Sequence, residues 1–372
     1  MKLLLIFSFL VIHSLFSFAQ QTINGSIFHD NLQRDYIMYI PPSYSSADPA
    51  PLVLCFHGFT SNSNLIFNYT NFKSIADTAG FIFVCPQGTL SQGLPHWNIG
   101  IFGSTVDDLG FTNTLIDHIT STYSINEERI YSTGMSNGGY MSFLLACQLS
   151  NRFAAVASVT GSMTNMMMND CNPQHPTPIL QIHGTSDGTV PYYGNATYSK
   201  PIEDVLEYWS AHNNCNTNPS IATLPDINPF DGSTAEHFIY SGCDNSNTVE
   251  HFKIIGGGHD WPGVFGNMDI NASIEIWKFF SKYDINGAIV GSSSIESIQR
   301  TFEVYPIPSS SFISIDSDFR VGTIYKIFSI HGKLIHQDKI NSSSEHLDIS
   351  NFSPGSYSIK INGFIKKFIV TK

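Results

Sequence analysis

Unbroken apolar runs alternate along the first three quarters of the chain with stretches that are apolar on one side only. Residues 52–56 and 81–85 are continuous apolar runs, the pattern of strands covered on both faces. Residues 129–133, 154–159, 179–182 and 249–255 predict further strands, and residues 107–123, 137–149, 202–212 and 272–283 predict helices between them. This alternation predicts a mostly parallel sheet with helices on both faces across residues 20–284. Farther on, the runs shorten and alternate every second residue, at 312–315, 325–330 and 356–361, with turn signals at 331–333 and 353–355. That rhythm predicts a small all-β sandwich domain over 298–372. The stretch between the two, 285–297, is rich in small residues and reads as a linker.

The N-terminus follows neither rhythm. Lys2 precedes an apolar run to Phe16 that is broken only by Ser8, His13 and Ser14, and Ser17-Phe18-Ala19 supplies small residues for a peptidase. Residues 1–19 are therefore expected to be a signal peptide, too short for a stable membrane span. Charge supports the division into domains. Of 18 basic residues 9 lie in 295–372, beside only 7 of the 30 acidic ones. The net charge of −12 argues against nucleic acid as a partner, and 42% hydrophobic residues in 372 exclude disorder as the main architecture.

Gly134-Met135-Ser136-Asn137-Gly138 follows a predicted strand and opens a predicted helix, the setting of a nucleophile elbow in an α/β-hydrolase fold. A serine hydroxyl needs a base, and the base an acid to orient it. In this fold they follow in the order Ser, Asp, His. Asp187 stands after the strand at 179–182, and His259 after the strand at 249–255, behind Gly256-Gly257-Gly258. Ser136, Asp187 and His259 are thus the expected catalytic residues. Asp260 is a competing acid, disfavoured because adjacent side chains rarely face each other. The oxyanion hole is expected from the backbone N–H groups of Asn137 and Phe59. His57 and His183, each before a glycine at a strand end, are read as turn-stabilising.

These motifs, with Trp97-Asn98, Val106-Asp107-Asp108-Leu109-Gly110-Phe111 and Asp260-Trp261-Pro262-Gly263 in the same order, resemble the secreted polyhydroxybutyrate-depolymerase-like esterases. These group with the feruloyl and acetylxylan esterases of carbohydrate esterase family one. The resemblance implies the same triad, with Trp97, Trp261 and Asp108 at the substrate pocket, although the aromatics could equally pack in the core. It also implies bridges between Cys147 and Cys171 and between Cys215 and Cys243, one choice among the 15 pairings that six cysteines allow. Cys55 and Cys85, inside apolar strands, are read as buried free thiols. The C-terminal motifs Val304-Tyr305-Pro306-Ile307-Pro308, Leu347-Asp348-Ile349-Ser350 and Pro354-Gly355-Ser356-Tyr357 resemble the sorting domain of type IX secretion cargo, which usually carries Asn where Ile307 stands. That resemblance implies export to the cell surface or medium; a carbohydrate-binding sandwich is the alternative.

The expected function is a secreted serine esterase acting on feruloyl or acetyl esters of plant cell-wall polysaccharide. The alternatives are a polyester depolymerase and a non-catalytic surface binding module. No cofactor or metal is expected, since neither H-E-x-x-H nor C-x-x-C occurs.

Overall fold

The structure is a computed structural model that describes residues 20–101, 103–289, 302–317, 322–330, 332–342, 344–361 and 364–371. The expected signal peptide and most of the expected linker lie outside these residues. The chain divides between residues 290 and 291 into two compact units.

The first unit is built on a ten-stranded sheet. In chain order its elements are β1 (Gln21–His29), β2 (Leu32–Ile40), β3 (Ala50–Phe56), α1 (Ser63–Tyr69), α2 (Phe72–Ala79) and β4 (Ile82–Pro86). A small hairpin follows, β5 (Thr89–Ser91) with β6 (Leu94–His96), then α3 (Asp108–Thr122), β7 (Ile125–Met135), α4 (Asn137–Gln148), β8 (Ala155–Val159) and α5 (Asn165–Asn169). The unit continues with β9 (Ile179–Gly184), α6 (Ile202–His212), β10 (Ser220–Thr223), β11 (Thr234–Tyr240), β12 (Val249–Ile255) and α7 (Ala272–Phe280). The sheet order is β1-β2-β4-β3-β7-β8-β9-β12-β11-β10. The six strands from β4 to β12 are parallel, and the two at each edge are antiparallel.

Every residue of β3, β4, β8 and β9 is buried, and β3 shows why. Side chains alternate between faces with a period of two. Leu52, Leu54 and Phe56 enter a core with Phe111 and Leu115 of α3, Met141 and Phe143 of α4 and Trp209 of α6. Val53 and Cys55 enter a second core with Phe67 of α1, Phe72 of α2, and Ile276 and Phe280 of α7. Apolar residues on both sides of the strand require a helical layer on each face. The order β4-β3-β7 also creates a switch point: β3 connects outward to β4, whereas β7 connects the other way to β8. In open α/β sheets a crevice at such a point, here above the carboxyl ends of β3 and β7, is where ligands bind.

A two-stranded hairpin, β13 (Tyr283–Asp284) and β14 (Gly287–Ala288), closes this unit. Ile285 N donates to Glu128 O at 2.9 Å, and Tyr131 Oη donates to Tyr283 O at 2.6 Å. The first residues of the expected 285–297 linker thus belong to the first unit, because their backbone groups pair with it.

In the second unit, β15 (Phe302–Tyr305), β16 (Phe312–Ser317) and β19 (Ser344–Asp348) form one antiparallel sheet. A second sheet runs, from one edge to the other, β18 (Leu334–Lys339), β17 (Ile324–Ser329), β20 (Gly355–Ile361) and β21 (Phe364–Val370). Ile313, Ile315, Tyr325, Ile327, Ile359 and Phe368 meet in one core, as the alternating pattern predicts for a sandwich.

Candidate active site

Ser136 stands at the junction of β7 and α4 with φ 56° and ψ −121°. A non-glycine residue holds such a backbone only when its surroundings enforce it. Here the Ser136 N–H donates to Val159 O at 2.9 Å, and its carbonyl accepts from Gly139 N at 2.8 Å and Tyr140 N at 3.0 Å. The flanking glycines are sterically required. A Cβ on Gly138 would lie 2.0 Å from Phe56 O, and one on Gly134 would lie 2.4 Å from Gly138 O.

Across the crevice, the loop after β3 brings Gly58 beside the serine: a Cβ there would lie 3.4 Å from Ser136 Cβ and 4.0 Å from its Oγ. Buried His57 fixes that loop. Its Nε2 accepts from Gly88 N at 3.0 Å, so the ring proton sits on Nδ1, which donates to Gly58 O at 2.8 Å. Burial pulls the His57 pKa down to about 4, only partly opposed by the Gly58 bond, so the ring stays a neutral donor. Holding the Gly58 carbonyl orients the peptide that carries the Phe59 N–H. Asn137, buried at the start of α4, uses its side chain rather than its backbone to grip this region: Oδ1 accepts from Trp97 N at 2.7 Å and Nδ2 donates to Trp97 O at 3.2 Å.

His259 and Asp187 come together from neighbouring strand ends. Nδ1 of His259 donates to Asp187 Oδ2 at 2.7 Å. Asp187 Oδ1 accepts from Thr189 N and Val190 N, both at 2.8 Å, and His183 Nε2 lies 3.3 Å from Oδ2. Burial would push the Asp187 carboxyl up. Hydrogen bonds from His183, His259 and Val190 outweigh it and hold the group well below the usual carboxylate range. Asp260, the competing acid, turns toward Gly266 instead, and burial pushes its carboxyl up against the pull of His259.

Three expected substrate contacts lie elsewhere. Trp97 and Trp261 have no exposed surface. Trp97 Nε1 donates to His57 O at 2.9 Å and Trp261 Nε1 to Ser273 Oγ at 3.0 Å, one in each core. Asp108 is paired with Arg34 at 2.6 Å, both side chains nearly inaccessible, while its Oδ2 accepts from Asn98 N at 2.7 Å. These side chains offer almost no surface to a substrate, and each is held by hydrogen bonds within the fold. Cys147–Cys171 and Cys215–Cys243 are disulfide-bonded, and Cys55 and Cys85 are buried free thiols. Among the described residues no cluster of three or more metal-ligating side chains occurs, and no helix is long and apolar enough to cross a membrane.

Residues 34–168, which carry the elbow, match the family described as esterase PHB depolymerase, and residues 303–371 match the secretion system C-terminal sorting domain. The first unit thus has an α/β-hydrolase fold, part of which is similar to that esterase family, and the second is similar to a sorting domain. It is 27% identical over 275 residues to a bifunctional acetylxylan esterase/xylanase of Neocallimastix patriciarum, covering 74% of this chain and 37% of that one. It is 28% identical over 236 residues to feruloyl esterase B of Piromyces equi, covering 61% of this chain and 42% of the other. The chain thus spans about two fifths of the length of these two relatives. Among solved structures, an acetyl xylan esterase from Aspergillus awamori aligns with a TM-score of 0.49 and 17% identity, covering 71% of this chain and 99% of that one. Among the described residues, both cores of the first unit are drawn from residues up to Ala288.

Proposed function

We propose that this protein is an exported serine carboxylic ester hydrolase working through an acyl-enzyme. The observation that carries the reading is the 2.7 Å Asp187–His259 bond, on the same sheet edge as a serine in an enforced elbow conformation. His259 Nε2 takes the proton as Ser136 Oγ attacks the ester carbonyl carbon. The N–H groups of Asn137 and Phe59 hold the oxyanion, and the C–O bond to the alcohol breaks as His259 returns the proton to it. Water then repeats the sequence on the acyl-serine, releasing the acid and restoring the hydroxyl. Asp187 stays ionised throughout and stabilises the imidazolium.

The substrate class is a feruloyl or acetyl ester of plant cell-wall polysaccharide, supported by the names of the two relatives; a hydroxyalkanoate polyester is the second reading, supported by the family description. The working domain is residues 20–284. Residues 298–372 deliver it through a type IX secretion machinery after a signal peptide (1–19) directs export, a route supported by the sorting-domain match. Two disulfides fit an oxidising destination. Turnover of p-nitrophenyl acetate by the purified protein, abolished in Ser136→Ala, tests the chemistry. Comparing methyl ferulate, acetylated xylan and a hydroxybutyrate trimer tests the substrate. Turnover unchanged by Ser136→Ala would overturn the mechanism, and no turnover at all would favour a binding module.

A further inference from the structure

Asp187 has a second histidine, and its ring is wired so that it can only donate. Gln181 and His183 are two residues apart on β9, share one face of the strand and are both fully buried. Gln181 Nε2 donates to Gly161 O at 2.9 Å, and that carbonyl can only accept, which fixes which end of the amide is nitrogen. The same Nε2 lies 2.9 Å from His183 Nδ1. Nδ1 therefore accepts, and the ring proton is on Nε2. That N–H donates to Val190 O at 2.8 Å, and Asp187 Oδ2 lies 3.3 Å from the same nitrogen. A second N–H at Nδ1 would set donor against donor in a site without solvent.

We propose that His183 is a positioning residue: an imidazole whose tautomer is locked by Gln181, whose Nε2–H is pinned to Val190 O, and whose Nε2, 3.3 Å from Asp187 Oδ2, steers the oxygen on which His259 rests. This rests on the reading of Asp187 as the triad acid. Oδ1 has two backbone donors, Thr189 and Val190. Oδ2 accepts from His259 and lies against His183 Nε2, the two coming from different strand ends. Enclosed by these neighbours, the side chain has no exposure. Each donor also draws charge from the carboxylate. Losing His183 raises the Asp187 carboxyl and so strengthens its pull on the imidazolium that forms in the reaction. Other charged or titratable groups near His183 are Tyr192, edge-on at 5.9 Å between centroids, and His251, which meets the Tyr192 hydroxyl at 3.0 Å. Lys253 lies over the Tyr192 ring, and Asp260 near Asp187. None of these donates to the Asp187 carboxylate in the structure.

The test uses the whole exported protein with p-nitrophenyl acetate. His183→Leu, once shown to be folded by circular dichroism, is expected to lose about tenfold or more in kcat with KM within about threefold. The acid limb of its kcat/KM profile should move up by about half a pH unit or more. His183→Gln, which returns an N–H close to the Nε2 position, should restore most of both. A folded His183→Leu with the kcat and pH profile of the parent would overturn the proposal, as would a His183→Gln no better than the leucine variant. If His183→Leu does not fold, ¹⁵N spectra of the parent labelled in histidine decide: a proton on Nε2 alone across the active pH range supports the wiring, and a proton on Nδ1 refutes it. Asp187→Asn separates the two readings. If it is inert while His183→Leu behaves as the parent, only the His183 proposal falls; if it turns over normally, the triad reading falls as well.

Discussion

Asp108→Asn removes one charge from beneath the site while preserving shape. Arg34 Nη2 meets Asp108 Oδ1 at 2.6 Å, with side-chain exposures of 2% and 1%, and the guanidinium lies 3.8 Å from the centroid of Phe111. Asparagine would leave Arg34 as a buried cation without the carboxylate paired to it, with only the partly exposed Asp107 charge nearby. Its amide would also have to turn a donor toward either Arg34 or the Asn98 N–H. Breaking a buried pair from one side costs about 3–5 kcal/mol, a large part of a domain's total stability of roughly 5–15 kcal/mol. Urea unfolding followed by tryptophan fluorescence reads this cleanly, because all four tryptophans (97, 209, 261 and 277) lie in the hydrolase unit. With a slope of about 3 kcal/mol per molar urea, the midpoint should fall by roughly 1–1.7 M. The enzyme that remains folded should keep its KM for p-nitrophenyl acetate. Arg34→Met combined with Asp108→Leu should recover much of the loss, since no charge then stays buried. A midpoint unchanged in Asp108→Asn together with a tenfold rise in KM would refute the reasoning and return Asp108 to the substrate pocket.

Glu250 should govern acid stability: burial raises its carboxyl, but the His237 bond and the charge of Lys282 pull it down to about 2 from 4.5. The folded value is depressed, so its contribution of about 3 kcal/mol is complete above about pH 4.5 and is lost as pH falls toward about 2; Glu250→Gln should flatten that limb in urea midpoints measured against pH. Gly138→Ala should cut kcat on the order of a hundredfold, because the new methyl forces Phe56 O and the elbow apart, and steady-state kinetics on the folded variant would show it. Replacing Cys147 and Cys171 by alanine opens a bridge with a sequence separation of 24 and should lower stability by about 3 kcal/mol in the same urea assay.

The central strands were legible because burial on both faces leaves an unbroken apolar signature, as in β3 and β4. The flanking pairs β1–β2 and β10–β11 were not. Ser220–Thr223 is exposed throughout, and Gln21–His29 interleaves polar residues, so neither differs locally from a loop. The short helices α1 and α2 carry too few turns to declare a period. At the site, Ser136, Asp187 and His259 stood out by glycine context and by order along the chain. Trp97, Trp261 and Asp108 misled because a motif shows that a residue is near a site and not which way it faces. Arg34, which explains Asp108, lies 74 residues away in sequence with no local mark. His183 was visible as a turn residue, but its contact with Asp187 depends on how β9 sets Gln181 beneath it.

The small hairpin after α7 has a consequence for maturation. Among the described residues, no strand of the large sheet and no member of either hydrolase core lies beyond Ala288. A cut downstream of that point would leave both of these cores and every described strand of the large sheet on one piece.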